Sequence, residues 1–315
     1  RCGLVTQPLN WRLSEPEMAR ILEDGEPAVL IGSMEYAELT GSLAKAANTP
    51  ATLVFSAATD CDYEQLIAAA SDAEPAASAQ VTGDDPVLIL YTGGTIGCVG
   101  TPLAPVSGVE FEAAFRATML PPIETQLPDT TVTFDSFEQT LDSTNMQPSD
   151  WVRMAQRICS AWHEHDAFLV LHGTDTMAWT SAALSFLLPN VSKPVIVTGS
   201  QLPLFFATGN DPSAYQVLHN TDAVRNVEGA IRFLERAIPE VGLYFADQLL
   251  RGNRAIKSHA SQFIAFSSPN YPLLGELGVR PVLHSDRLQK PDCAATFTDR
   301  ISEVERDLTR IAERI

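Results

Sequence analysis

Basic residues, long apolar runs and organised cysteines are all scarce in this chain, and each scarcity excludes a class of protein. Lys and Arg total 21 against 39 Asp and Glu, a net charge of −18, whereas a protein that tracks nucleic-acid phosphates needs the opposite balance. No direct nucleic-acid contact is expected. The longest apolar stretches, such as Val87–Leu90 and Ala167–Leu171, fall far short of the ~20 residues that a membrane-spanning helix requires, so no membrane span is expected either. The five cysteines, Cys2, Cys61, Cys98, Cys159 and Cys293, have neither the CxxC spacing of a zinc site nor the density of a secreted disulfide scaffold. They read as reduced thiols. With no basic-then-apolar N-terminal segment, the expected home is the cytoplasm, although the first residue, Arg1, is not an initiator Met and leaves targeting open.

What is present supports a folded protein. Apolar residues make up 45% of 315 and charged ones 19%, enough to bury a core and to form more than one domain. Residues 1–85 hold short apolar runs, Ala28–Ile31 and Thr52–Phe55, between helix-like stretches at 14–24, 37–47 and 62–72. This predicts a small α/β unit that ends in an Ala/Ser/Asp-rich linker, Ala70–Asp85. From Pro86 the alternation sharpens. Val87–Tyr91, Thr131–Phe134, Ala167–Leu171, Val195–Thr198 and Val241–Phe245 read as buried strands, with helices predicted over 149–163, 177–188 and 219–236. The expected fold class is α/β, a mostly parallel doubly wound sheet over 86–280. In helix 149–163 Ser149 is placed to cap, and Arg153, Arg157 and Glu164 read as a solvated face. Residues 281–315 form a C-terminal segment that ends in an amphipathic helix over Thr298–Ile315. Its seam, Ile301, Val304, Leu308, Ile311 and Ile315, suits a helix or domain surface, most simply the chain's own core.

Polar turns follow several of these strands, where open α/β sheets bind ligands. After Val87–Tyr91 comes Thr92-Gly93-Gly94-Thr95-Ile96-Gly97. Adjacent glycines let backbone N–H groups approach a ligand, and a threonine among them can present a nucleophilic hydroxyl. A packing device or phosphate cradle is the alternative, although neither the Walker pattern nor GxGxxG is matched. After Ala167–Leu171 comes His172-Gly173-Thr174-Asp175-Thr176, which alone reads as a helix cap. Asp142-Ser143-Thr144-Asn145 reads as a cap or turn, and Lys257 in Arg251–Lys257 as surface charge. A threonine is a poor nucleophile near neutral pH, so chemistry here requires a base or cation such as Lys257, oriented by Asp175.

Together these segments resemble the bacterial-type L-asparaginase family, closest to its cytoplasmic, type I branch, over about residues 86–280. The stretches that carry the resemblance are YTGGTIG at 91–97, PVSG at 105–108, Asp142-Ser143 with Met146 and Trp151, LHGTDTMAWTSAALSFLL at 171–188, KPVIVTGSQLPL at 193–204, RGNRAIKSHA at 251–260 and SPN at 268–270. The resemblance implies an amidohydrolase that converts asparagine to aspartate and ammonia without metal or organic cofactor. Glutamine is a second candidate substrate, because one methylene is worth only ~1–3 kcal/mol of discrimination. It implies Thr95 as nucleophile, with Thr174, Asp175 and Lys257 as a second catalytic set. Ser143 is implied to hold the substrate's α-carboxylate and Asp175 its α-ammonium, with Gly94, Thr144 and Gly173 lining the site. Backbone N–H groups near Gly94, Thr95 and Thr174 are implied to stabilise an oxyanion.

The sequence also departs from the family. Leu103 stands where a lid tyrosine is expected, in a shortened Cys98–Ala104 segment. An insertion lies around Phe206–Tyr215, and Gly229 replaces an Asn. Only 35 residues follow Arg280, so the family's smaller C-terminal domain is expected to be missing from its usual place. Residues 1–85 are expected to be an unrelated accessory domain rather than that smaller domain moved to the front. A homo-oligomer is expected, since family sites are completed across dimers. The alternative function is an asparaginase-like module that binds a metabolite without turning it over. A tRNA-dependent amidotransferase subunit fits less well, because residues 1–85 look α/β rather than β-rich and the charge disfavours tRNA.

Overall fold

A computed structural model describes residues 14–25, 29–49, 51–55, 85–128, 130–207, 209, 211–289 and 297–314. Two compact units divide the chain, residues 1–83 and 84–315. In the first, α1 (Glu15–Gly25), β1 (Val29–Ser33), α2 (Ala37–Ala46) and β2 (Ala51–Phe55) follow in order. β1 and β2 pair in parallel, and Met18, Leu22, Leu30, Leu43 and Ala44 form a small core. The helix expected over 62–72 and the linker to Gly83 lie outside the described residues.

In the second unit, β3 (Asp85–Gly93) leads through α3 (Gly108–Thr118) and α4 (Leu120–Gln126) to β4 (Thr130–Leu141). Then come α5 (Pro148–Ser160), β5 (Ala167–Leu171), α6 (Met177–Leu187), β6 (Val195–Thr198), α7 (Ala223–Leu234) and β7 (Val241–Phe245). Three more strands follow, β8 (Gln248–Arg251), β9 (Gly275–Leu277) and β10 (Pro281–Leu283), and last the helix α8 (Phe297–Ala312). All eight strands form one sheet in the order β10-β9-β8-β7-β6-β5-β3-β4. The block β4-β3-β5-β6-β7 is parallel, and β8, β9 and β10 extend it antiparallel.

Alternation along the strands decides what each face meets. Leu88 and Leu90 of β3 and Phe168 and Val170 of β5 face a core with α5, α6 and α8. Val87, Ile89 and Tyr91, with Leu169 and Leu171, face α3 and α7 on the other side. Both faces are covered, which is why β5 is buried at every position and reads as an unbroken apolar run.

Several expectations change in detail. α3 and α4 were not legible as helices, although Ser107 and Glu110 form a capping box and Phe111, Ala114 and Phe115 are buried on one side. α5 starts at Pro148, and the Asp150 carboxylate accepts the Gln147 N–H at 2.8 Å, so Asp150 rather than Ser149 caps it. Its arginines are not merely a solvated face. Arg157 pairs with Asp135 and donates to Ser136 O at 3.1 Å, and Arg153 lies 4.4 Å over the Phe137 ring. The helix is thereby fastened to β4. Phe297, Ile301, Val304 and Leu308 of α8 are buried in the unit's own core, with Phe297 4.4 Å from the Trp162 ring, a contact worth roughly 0.5–1.5 kcal/mol beyond burial. The seam is therefore occupied at Ile301, Val304 and Leu308, whereas Ile311 is 38% exposed and Ile315 lies outside the described residues.

Candidate active site

In chain order the parallel block runs second-first-third-fourth-fifth, so the connections reverse direction between β3 and β5. Such a switch point leaves a crevice at the strands' carboxyl ends. The turns after β3 and β5 meet there through their glycines. Gly94 has φ +83, and a Cβ on it would lie 2.3 Å from Gly173 Cα; a Cβ on Gly173 would lie 2.5 Å from Ser143 Oγ. Only glycine lets the three turns converge. Thr92 Oγ1 donates to Leu171 O at 3.0 Å and Gly94 N to Leu141 O at 2.9 Å, which ties β3 to both neighbours. Thr95, half-buried, follows directly. Among the described residues neither its hydroxyl nor the N–H groups of Thr95 and Thr174 have a hydrogen-bond partner.

The second group is bound tightly. Lys257 Nζ donates to Thr174 Oγ1 at 2.9 Å and to Asp175 Oδ1 at 2.6 Å. Thr174 is buried, whereas the Asp175 side chain is 56% exposed, so this ion pair adds little stability and its interest is chemical. Asp175 N donates to Ser143 Oγ at 3.3 Å and Thr176 Oγ1 to Ser143 O at 2.7 Å. No side chain of the Thr174–Thr176 turn caps α6. Lys257 sits in a short hairpin, Ile256–Lys257 against Phe266–Ser267. The loop leading to it is pinned by the buried Glu240, whose carboxylate takes Arg251 Nε at 2.6 Å and Nη2 at 3.1 Å. Removing one partner of such a pair costs roughly 3–5 kcal/mol.

The crevice thus gathers Gly94, Ser143, Gly173, Thr174, Asp175 and Lys257, with Thr95 on the adjoining turn. Thr144 is not drawn in. It is exposed, and its N–H and hydroxyl both bond Asp142 Oδ1 at 3.0 Å. Gln201 was missed: Thr174 Oγ1 donates to its Oε1 at 3.1 Å. The available signal was its place in the polar turn Gly199-Ser200-Gln201 directly after the strand Val195–Thr198. Behind the turn, His172 Nδ1 bonds Gly173 O at 2.7 Å and Nε2 bonds Thr180 Oγ1 at 2.9 Å. Burial pushes His172 down to about 4, so the imidazole is neutral near pH 7.

The departures also take physical form. Leu103 is 58% exposed on the hairpin that joins Cys98–Val99 to Ala104–Pro105. Tyr91 is no substitute for a lid tyrosine, since its ring stacks on Phe111 at 4.0 Å in the core and burial raises its phenol's pKa. Around the insertion, Phe205–Phe206 pairs with Gln216–Val217. At Gly229 an added Cβ would lie 2.0 Å from Tyr244 Oη, so that phenol takes the room of a side chain there. Among the described residues no group of three or more His, Cys, Asp or Glu is placed to hold a metal, and no helix is long and apolar enough to cross a membrane.

Comparison with known proteins decides the family. A model described as "Asparaginase, N-terminal" matches residues 86–289. The chain belongs to the bacterial-type L-asparaginase family. This asparaginase-family chain is 38% identical over 208 residues to L-asparaginase 1 of Escherichia coli K12, covering 65% of the chain and 56% of that relative. It is 34% identical over 226 residues to the 60 kDa lysophospholipase of Mus musculus, covering 65% and 37%. The crystal structure of L-asparaginase I from Vibrio cholerae O1 biovar eltor matches with a TM-score of 0.57 at 36% identity, covering 67% of this chain and 60% of that one. The asparaginase-type region therefore spans a little over half the length of its bacterial relatives. A second model, "AMP-binding enzyme", matches residues 1–98 and overlaps the asparaginase match at β3 and its glycine turn.

Proposed function

We propose that the chain is an amidohydrolase that converts L-asparagine to L-aspartate and ammonia, with glutamine as a second candidate substrate. The observation that carries this reading is the Lys257–Thr174–Asp175 cluster, with donor–acceptor distances of 2.9 and 2.6 Å, on the turn that packs against the one bearing Thr95. Thr95 Oγ attacks the side-chain amide carbon, its proton passing to the Asp175–Lys257 pair for return to the amide nitrogen, and the carbonyl oxygen gains the negative charge. The free N–H groups of Thr95 and Thr174 suit that oxyanion. Collapse expels the amide nitrogen, which leaves as ammonia after taking a proton, and an ester to Thr95 remains. Water then adds to the ester carbon and regenerates Thr95, with Lys257, Thr174 and Asp175 moving the protons. Ser143 receives the substrate's α-carboxylate and Asp175 its α-ammonium. No step calls for a metal or an organic cofactor.

The enzyme works as a cytoplasmic homo-oligomer in this reading, and residues 1–85 are an accessory unit outside the amidohydrolase chemistry. Their separate small core and the second family match support that division. One observation favours a second reading, a metabolite-binding module without turnover: the lid tip carries exposed Leu103, which has no hydroxyl. Coupled assay of ammonia with asparagine and with glutamine separates the two. Turnover supports the hydrolase. Stabilisation by asparagine or aspartate without ammonia release replaces it with the binding module.

A further inference from the structure

Resting on the hydrolase reading, we infer that Gln201 is the positioning residue that fixes the hydroxyl of Thr174. Bond directions in this network are determined by the groups that meet. Lys257 Nζ has donors only, so at 2.9 Å Thr174 Oγ1 accepts from it. The hydroxyl's single proton must therefore go elsewhere, and Gln201 Oε1 lies 3.1 Å away. The orientation of the amide is fixed in turn, because Nε2 faces two carbonyls, Ala260 O at 3.0 Å and Gln262 O at 3.1 Å, which only an NH2 can satisfy. Exchanging oxygen and nitrogen would break all three bonds.

Gln201 is itself held from a different direction. Its backbone N–H donates to the Asp222 carboxylate at 2.9 and 3.1 Å, which also accepts Leu202 N at 3.1 Å and Asn226 Nδ2 at 3.2 Å. Asn226 in turn donates to Gly199 O at 2.9 Å and accepts Ala246 N at 3.0 Å. Gln201 thus links the start of α7 and the 260–262 loop to one hydroxyl at the reacting centre. An amide oxygen is too weak a base to keep the proton, so Gln201 relays nothing. It holds Thr174 with a lone pair toward Lys257.

Three-bond couplings to the Thr174 methyl carbon, in protein labelled at threonine methyls and assigned with Thr174→Ser, report the side-chain rotamer without requiring turnover. Gln201→Met keeps chain length and removes the acceptor; Gln201→Glu keeps an acceptor and removes the donors to the loop. The wild type and Gln201→Glu are expected to show one Thr174 rotamer. Gln201→Met is expected to show averaging, with kcat reduced about 10-fold and KM changed by less than about 2-fold, the signature of a group that acts in the chemical step. A single rotamer in Gln201→Met overturns the inference, since Lys257 then suffices alone. Averaging in Gln201→Glu also overturns it, since the loop rather than the acceptor then sets the rotor, and this variant decides if Gln201→Met does not fold. A wild type that releases no ammonia would remove the hydrolase reading, while the rotamer comparison still decides the role of Gln201.

Discussion

The two threonines of the crevice occupy opposite physical states. Thr174 is buried, accepts from Lys257 and donates to Gln201, and its turn is backed by neutral His172. Thr95 is half-buried, and its hydroxyl has no hydrogen-bond partner among the described residues. A hydroxyl committed at both ends is fixed in orientation; an uncommitted one is suited to bonding a substrate atom. In the proposed reaction the first is therefore read as the held partner of Lys257 and the second as the attacking group.

The largest expected effect comes from removing the uncommitted hydroxyl. Thr95→Ala should lower kcat by about 10⁴-fold, at the upper end of what single catalytic groups contribute, with an unchanged melting temperature because no buried contact is lost. Lys257→Met should lower kcat by about 10³-fold, read in the same ammonia assay. Equal activity of both variants with the wild type would abolish the division of labour between the threonines.

A smaller effect tests what stands behind the built half. His172 is held down to about 4 by burial, against 6.5 for a free imidazole. Between these values the unfolded chain binds a proton that the folded one does not. Stability contributed by the neutral ring is therefore complete above pH 6.5 and lost as pH falls toward 4, by up to about 3 kcal/mol. Urea titrations across that range should show the fall, and His172→Gln should flatten it. Smaller again, Ser143→Ala should raise KM for asparagine about 10-fold with kcat little changed, as expected for one charge-assisted hydrogen bond.

How much of this was legible in the sequence follows from range. β5 and β6 were readable because strands covered on both faces carry unbroken apolar runs. α3 was not, because Val109 is 79% exposed and Pro121-Pro122 follow closely, which blurs the period that Phe111 and Phe115 set. β4 extends to Leu141 through Glu138, Gln139 and Thr140, polar residues tolerable because β4 ends the sheet and only β3 pairs with it. The candidate cluster was legible where its residues lie in motifs of fixed order, as with Thr174 and Lys257, which meet at 2.9 Å. Gln201 was not, since its significance lies in reaching Thr174 across 27 positions and a loop 59 positions away. Thr144 illustrates the converse: its neighbour Ser143 turns inward while Asp142 captures the Thr144 hydroxyl.

The division between the threonines is tested most directly by trapping the covalent intermediate. Protein mixed with asparagine, quenched in acid within the first turnover and digested, should carry an aspartyl ester on the peptide containing Thr95, and on no other. Turnover with the ester on the Thr174 peptide instead, or with no ester in a variant whose deacylation has been slowed, would contradict the account.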